Sequence, residues 1–291
     1  MKLVLVSNVL EHTAFPEFLR AVTAAHPGSA ALSLGDFLNV FPEPGEDFAG
    51  SIFQEIFGDH VVGEMRRLVE ARFAGADASS LVEPLRDMFL PGGSCSRRAM
   101  GIADARYARL FARIDEALAG APLHFIDGNM DYPELSRSRA ARSRSLAKLD
   151  EVVVEIAGVK VAGLGGIPNT AHPFRGVVEI SPNEMSEDEY ARRLGRLAGT
   201  DVLCTHLAPE ESPALARFLD EGGARILVCR APFDFGRSRD FRGASSVSRR
   251  SDALVVRVRP FEWPAGSALV LDVGAGEALR TPHVEIFSYS A

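Results

Sequence analysis

Leu123-His124-Phe125-Ile126-Asp127-Gly128-Asn129-Met130-Asp131-Tyr132-Pro133 is the stretch on which the reading of the fold turns. Its first residues are apolar and aromatic enough for a short buried strand. The strand runs straight into Gly-Asn and an acidic residue, and Pro133 forbids simple continuation. Asn129 is thereby placed on a loop at the C-terminal end of a strand. In open α/β sheets ligands sit in the crevice outside such strand ends, where an amide and a carboxylate can reach a shared ion or substrate. Gly-Asn is also ordinary turn chemistry. The stretch carries more because apolar strand followed by polar side chain recurs along the chain.

Working outward toward the N-terminus, Leu3-Val4-Leu5-Val6 reads as a buried parallel-type strand. Ser7-Asn8-Val9-Leu10-Glu11-His12 follows as a loop opening a helix over Pro16–Ala25. Ala30-Ala31-Leu32-Ser33-Leu34 is a second strand closing on Gly35-Asp36. The glycine there permits close backbone approach, and the aspartate offers two oxygens to cations. From about residue 46 to 120 no β-branched run occurs and apolar residues recur at helical spacing. Ile52, Phe53, Ile56 and Phe57 make one face; Met65, Leu68, Val69 and Phe73 a second; Tyr107, Leu110, Phe111, Ile114 and Leu118 a third. The expectation is one α/β domain over 1–291 with a helical insertion, or cap, over 46–120. Its Phe and Met stripes read as core packing, and Pro91-Gly92-Gly93 breaks it at a candidate lid tip.

Toward the C-terminus, Val152–Ile156 and Val159–Ala162 read as a hairpin turned at Ala157-Gly158. It runs into Gly163-Leu164-Gly165-Gly166-Ile167-Pro168. That Gly-rich run is a weak dinucleotide signal, because Pro168 and Pro173 stand where a helix would begin. A helix is expected from Ser186 to Leu197, with Ser186 as N-cap and Glu187, Asp188 and Glu189 in its first turn. Asp201–Cys204 is a strand ending in Thr205-His206, and Arg225–Cys229 one ending in Arg230-Ala231-Pro232-Phe233. Leu254–Val258, Ala268–Asp272 and Val284–Phe287 read as a strand-rich closing sheet.

The chain has 291 residues, is 46% hydrophobic and 24% charged, and carries a net charge of −7. That balance suits a globular protein and disfavours binding nucleic acid through the whole surface, which takes a basic face. The basic stretch Arg137, Arg139, Arg142, Arg144 and Lys148 reads as a solvated helix or loop face, with a local anion patch as the other use. Cys95, Cys204 and Cys229 are widely spaced and odd in number, against a disulfide framework or a Cys-rich zinc site. A reducing cytoplasm is the expected location. The apolar start after Met1-Lys2 is too short for a signal peptide or a membrane span.

The order Gly35-Asp36, Asp127-Gly128-Asn129-x-Asp131 and Thr205-His206, each at a strand end, resembles the calcineurin-like metallophosphoesterases over almost the whole chain outside the insertion. The resemblance implies two facing sheets flanked by helices, with a dinuclear metal site built on five loops. It implies Asp36, Asn129 and His206 as metal ligands, with Asn8 able to add an amide oxygen. Asp131 falls to a catalytic role. The departures are large. Asn8 and Leu10 stand where the family's first loop has Asp-x-His, Arg230-Ala231-Pro232-Phe233 replaces its last histidine loop, and Met130 replaces a catalytic histidine. Glu11 or His12 could substitute from further along the first loop.

One carboxylate, one amide and one imidazole make a mostly neutral site for a single Mn, Mg, Fe or Zn ion, or for none. Three functions stay open on these residues. The first is a phosphoester hydrolase with one weak metal site, in which Arg230 supplies missing positive charge to a small phosphorylated or anionic molecule. The second is a pseudoenzyme, a binding or regulatory module with the insertion as its protein-partner surface. The third is a repurposed enzyme of non-hydrolytic chemistry. Arg230 either enters the pocket beside Asp36 or is turned outward by Pro232 to pair with a surface acid.

Overall fold

The computed structural model describes residues 1–40, 50–58, 87–89, 92–171, 181–232, 245–259, 261, 267–273 and 283–288. The face of Met65, Leu68, Val69 and Phe73, together with Pro91, Pro173 and Phe233, lies outside those residues. Two six-stranded sheets dominate. The first runs β14 (His283–Ser288), β13 (Ser267–Asp272), β1 (Lys2–Val6), β2 (Ala30–Ser33), β3 (Leu123–Phe125) and β4 (Leu146–Lys148). The second runs β11 (Ser246–Arg250), β12 (Ala253–Val258), β10 (Ala224–Arg230), β9 (Thr200–Thr205), β6 (Val159–Leu164) and β5 (Val153–Ile156). A small parallel pair joins β7 (Ile167–Pro168) to β8 (Glu184–Met185).

Alternation along the strands sorts the side chains into layers, because successive residues of a strand point to opposite faces. Leu3 and Leu5 of β1 share a core with Val202 and Cys204 of β9 and with Ile226 and Val228 of β10, so the two sheets pack face to face. Val4 and Val6 instead meet Phe15, Phe18 and Val22 of α1 (Phe15–Ala25) and Tyr107, Phe111 and Ile114 of α3 (Ser96–Leu118). Leu203 and Leu227 turn toward Tyr190 and Leu194 of α5 (Glu187–Gly195) and Leu215 and Leu219 of α6 (Pro213–Asp220). The result is four layers: helices, sheet, sheet, helices. Coverage on both faces explains why β1, β2 and β10 read as unbroken apolar runs.

Between 46 and 120 the described elements are α2 (Ile52–Phe57) and α3, and no described residue there is in a strand. The helix α3 is itself part of the helix layer. Phe111 packs edgewise on Phe37 and Phe125 at centroid distances of 5.5 and 5.9 Å. It ends where Ala119 and Gly120 adopt left-handed backbone, with the Ala119 N–H closing on Asp115 O.

Two expectations need correction. The three C-terminal strands do not form one closing sheet: β12 joins the second sheet beside β10, whereas β13 and β14 extend the first beside β1. The basic stretch is also not uniformly solvated. It forms α4 (Pro133–Ala140) and then β4, and Lys148 points inward, its side chain 9% exposed between Asp127 and Asp150. A parallel-strand position inside a sandwich buries whatever side chain falls there, and the lysine is tolerated because it meets the acid groups of Asp127 and Asp150.

Candidate functional site

The strands β1, β2 and β3 run parallel in one sheet, and β9 and β10 run parallel in the other. Their C-terminal ends deliver Asn8, Asp36, the Asp127–Asp131 loop, His206 and Arg230. The loops after β2 and β3 cross backbone against backbone. A Cβ on Gly35 would sit 2.0 Å from Gly128 N, and one on Gly128 would sit 2.0 Å from Asp36 Oδ1. Glycine is required at both positions for the loops to meet. The loop after β1 lies alongside, Asn8 N donating to Gly35 O at 3.1 Å and Leu10 N to Asp36 O at 3.0 Å.

Asp36 is the centre of this meeting. His206 Nε2 is 3.2 Å from Asp36 Oδ2, the Asn8 amide Nδ2 donates to the same oxygen at 3.2 Å, and Met130 N donates to Oδ1 at 3.2 Å. Burial pushes the Asp36 carboxyl up, but His206, the Met130 N–H and the charge of Arg230 outweigh it and hold the carboxyl below the usual carboxylate range. The His206 ring is fixed from its other side, where Nδ1 lies 2.7 Å from Leu34 O. A carbonyl only accepts, so Nδ1 carries the proton and a neutral ring keeps its lone pair on Nε2. That nitrogen is fully buried and makes no aligned hydrogen bond. A lone pair facing a carboxylate oxygen at 3.2 Å is repulsive unless a cation or a second proton lies between them.

Asn129 follows Gly128 directly and is held beside Asp36 through the Met130 N–H; its own Nδ2 is 3.0 Å from Met130 Sδ. Asp131 is fully buried with both oxygens engaged. Oδ2 accepts from Asp36 N and Gly128 N at 2.8 Å each, and Oδ1 from Phe37 N and the Tyr107 hydroxyl at 2.9 Å each. In this geometry it staples the β2 and β3 loops and α3 together. Burial, then the charges of Asp127 and Asp36, push its carboxyl up to about 7, with Gly128 N and Tyr107 pulling the other way.

Arg230 lies inside, 2% exposed, with Nη1 donating to Ala231 O at 2.9 Å and Nη2 paired to Glu211 Oε1 at 3.1 Å. Glu11 and His12 do not join the cluster: the Glu11 carboxylate accepts from Arg106 at 2.7 Å and Asn39 N at 3.0 Å, and His12 Nδ1 accepts from Ala14 N while its ring edges onto Phe261. Left-handed backbone at Asn8, Leu10, Glu11 and Asp36, none of them glycine, is gathered at this one place. Such residues cost of order 1–3 kcal/mol each and persist where the surroundings over-determine them.

Sequence reasoning missed Glu211, Asn183 and the Lys148 group. Glu211 anchors Arg230. Asn183 Nδ2 donates to Gly128 O at 3.0 Å. Lys148 pairs with Asp127 and Asp150, and burial, then Asp127, pushes Asp150 up to about 8 against the pull of Lys148. Only the spacing of Lys148 from Asp150 along the chain hinted at any of this.

The donor set does not fit two ions. Among the described residues no three of His, Cys, Asp and Glu converge as a metal group. It does fit one, because His206 presents an orphaned buried nitrogen beside the Asp36 carboxylate; Asn8 turns its Nδ2 to Asp36 and its Oδ1 to Ser7 Oγ, and Asn129 turns its Nδ2 to Met130 Sδ.

No protein-family model matches the chain, and no curated protein matches it. Among solved structures, one identified only as a crystal structure aligns with a TM-score of 0.60 at 14% identity, covering 99% of each chain. The Thermus thermophilus protein TT1561 aligns with a TM-score of 0.59 at 14% identity, covering 99% of this chain and 98% of that one. A structure described as a novel archaeal phosphodiesterase reaches a TM-score of 0.44 at 9% identity, covering 99% and 100%. The first two share the mixed α/β two-sheet architecture. No helix among the described residues is long and apolar enough to cross a membrane.

Proposed function

We propose that this chain is a degenerate metallophosphoesterase-fold protein, a slow phosphoester hydrolase whose site takes a single weakly held divalent ion on Asp36 and His206. The amide oxygen of Asn129 would add a ligand, and that of Asn8 would do so once it turned from Ser7 Oγ to the ion. The observation that carries the reading is the His206 Nε2 to Asp36 Oδ2 contact of 3.2 Å, with Nδ1 held by Leu34 O. Such a pair needs positive charge between its atoms. A bound ion there supplies charge for a phosphoryl oxygen and acidifies water. The chain's own residues do the rest: Arg230 adds a fixed cation toward a small phosphorylated or anionic ligand, Glu211 orients Arg230, and Asp131 holds the loops in register.

A second reading is favoured by a different observation. Asn8 Nδ2 already donates to Asp36 Oδ2, and His206 and the Met130 N–H, with a smaller contribution from the charge of Arg230, already hold its carboxyl in the charged form, so the carboxylate can be satisfied without metal. On that reading the protein is a binding or regulatory module. Elemental analysis of purified protein, with Mn titrated into wild type and His206→Ala and aryl-phosphate turnover followed, separates the two. About one ion per chain, lost in His206→Ala together with Mn-dependent turnover, supports the hydrolase. No ion and no turnover gives the binding module, and a value near two ions per chain overturns both.

A further inference from the structure

We infer that Asn183 is a positioning residue that sets the direction of the Asn129 side chain, an inference resting on the single-ion reading above. Two peptide planes flank the Asn129 Cα, and both are held. The plane before it is held by Asn183 Nδ2, which donates to Gly128 O at 3.0 Å. The plane after it is held by Asn183 N, which donates to Asn129 O at 3.3 Å, and by Met130 N, which donates to Asp36. With the plane before and the plane after it fixed, the backbone angles of Asn129 are fixed, and its side chain leaves the chain in one direction.

Asn183 is itself seated for this. Its carbonyl accepts from Ile167 N at 3.1 Å, and Gly166, at φ +74, passes so close that a Cβ would lie 2.6 Å from Asn183 O and 2.7 Å from Asn183 Oδ1. Gly166 N in turn donates to Asp127 O at 3.0 Å. The Gly-rich run at the end of β6, a weak dinucleotide signal in the sequence, thus has a structural use: it lets Asn183 reach the Asn129 loop.

Removing the Asn183 amide frees the Gly128 carbonyl, and with it the peptide plane that aims Asn129, while the backbone contacts of Asn183 remain. Partners that orient a ligand typically change metal affinity about 10–100-fold when lost. The test is a double-mutant cycle read by calorimetric Mn titration, with melting temperature followed in parallel. Asn183→Ala is expected to weaken Mn binding about 10-fold. The pair Asn183→Ala/Asn129→Ala is expected to bind no more weakly than Asn129→Ala alone, because the aimed group is already gone. Additive losses, or an unchanged Mn affinity in Asn183→Ala, overturn the inference while His206→Ala still abolishes binding and keeps the single-ion reading. Absence of Mn binding by wild type overturns both. Asn183→Ser, which leaves a shorter donor, runs the same cycle if the alanine variant does not fold.

Discussion

Replacing Arg230 by alanine removes a buried cation whose charge acts on Asp36, and Coulomb's law bounds the size of the effect. Two unit charges ~4 Å apart in an effective dielectric of about 20 interact by ~4 kcal/mol, and by about half that at twice the distance; a divalent ion feels about twice the value as repulsion from a guanidinium. Glu211, 3.1 Å from Arg230 Nη2 and 17% exposed, cancels much of that field. A net gain of about 1–2 kcal/mol for the ion remains, or roughly 10-fold in Mn affinity. An anionic ligand should move the opposite way, losing its charged donor, so inorganic phosphate should bind more weakly to Arg230→Ala. The variant also leaves Glu211 without its partner, which lowers stability, so the comparison is made below the melting transition and repeated in Arg230→Ala/Glu211→Ala. Calorimetric titration of Mn and of phosphate into each protein reads both directions. Identical isotherms for wild type and Arg230→Ala would refute the idea that arginine stands in for missing metal charge.

Gly35→Ala should prevent the β2 and β3 loops from meeting, since the new methyl falls on Gly128 N; a lowered melting temperature together with lost Mn binding is expected, and a native-like melt refutes it. Asp131→Asn should cost about 2–3 kcal/mol in urea unfolding, because an amide brings N–H groups to a place where four donors converge; a stable variant with impaired turnover would instead put Asp131 in the chemistry. Asp150 carries its proton to about pH 8 in the folded protein and to about 3.9 in the unfolded chain, so its contribution is present at low pH and lost as pH rises through that window. Asp150→Asn should therefore gain stability relative to wild type between about pH 5 and pH 9, and parallel curves would show that the single lysine satisfies both Asp127 and Asp150.

The site gathers left-handed residues, a buried carboxylate staple and an imidazole with an unengaged nitrogen within a few strand ends. Each is costly alone. They are sustained together because the loops brace one another: Leu10 N on Asp36 O, Glu11 N on Phe37 O, and Asp131 across both the β2 and β3 loops. That bracing is the reason the candidate ligands come from residues far apart in the chain, yet Asp36 and His206 meet at 3.2 Å.

Local signals in the chain determined a good deal. Ser186 does cap α5 through Glu189 N, Ala157 and Gly158 do turn the β5–β6 hairpin with both residues left-handed, and the strand-end positions of Asp36, Asn129 and His206 follow from short apolar runs ending in Gly or Thr. These are short-range preferences of backbone and side chain, and they are legible without partners. The tertiary structure alone decided which sheet each strand joined, because a strand covered on both faces has the same apolar pattern whatever its neighbour; Leu254–Val258 and Ala268–Asp272 look alike and lie in different sheets. It also decided the use of each charge. Arg230 faces Glu211 inside the fold, Glu11 is taken by Arg106, Asp131 is consumed by backbone donors, and Lys148 sits between two acids. A charged side chain has the same identity in water and in a core, and only the groups that fold around it settle what it binds.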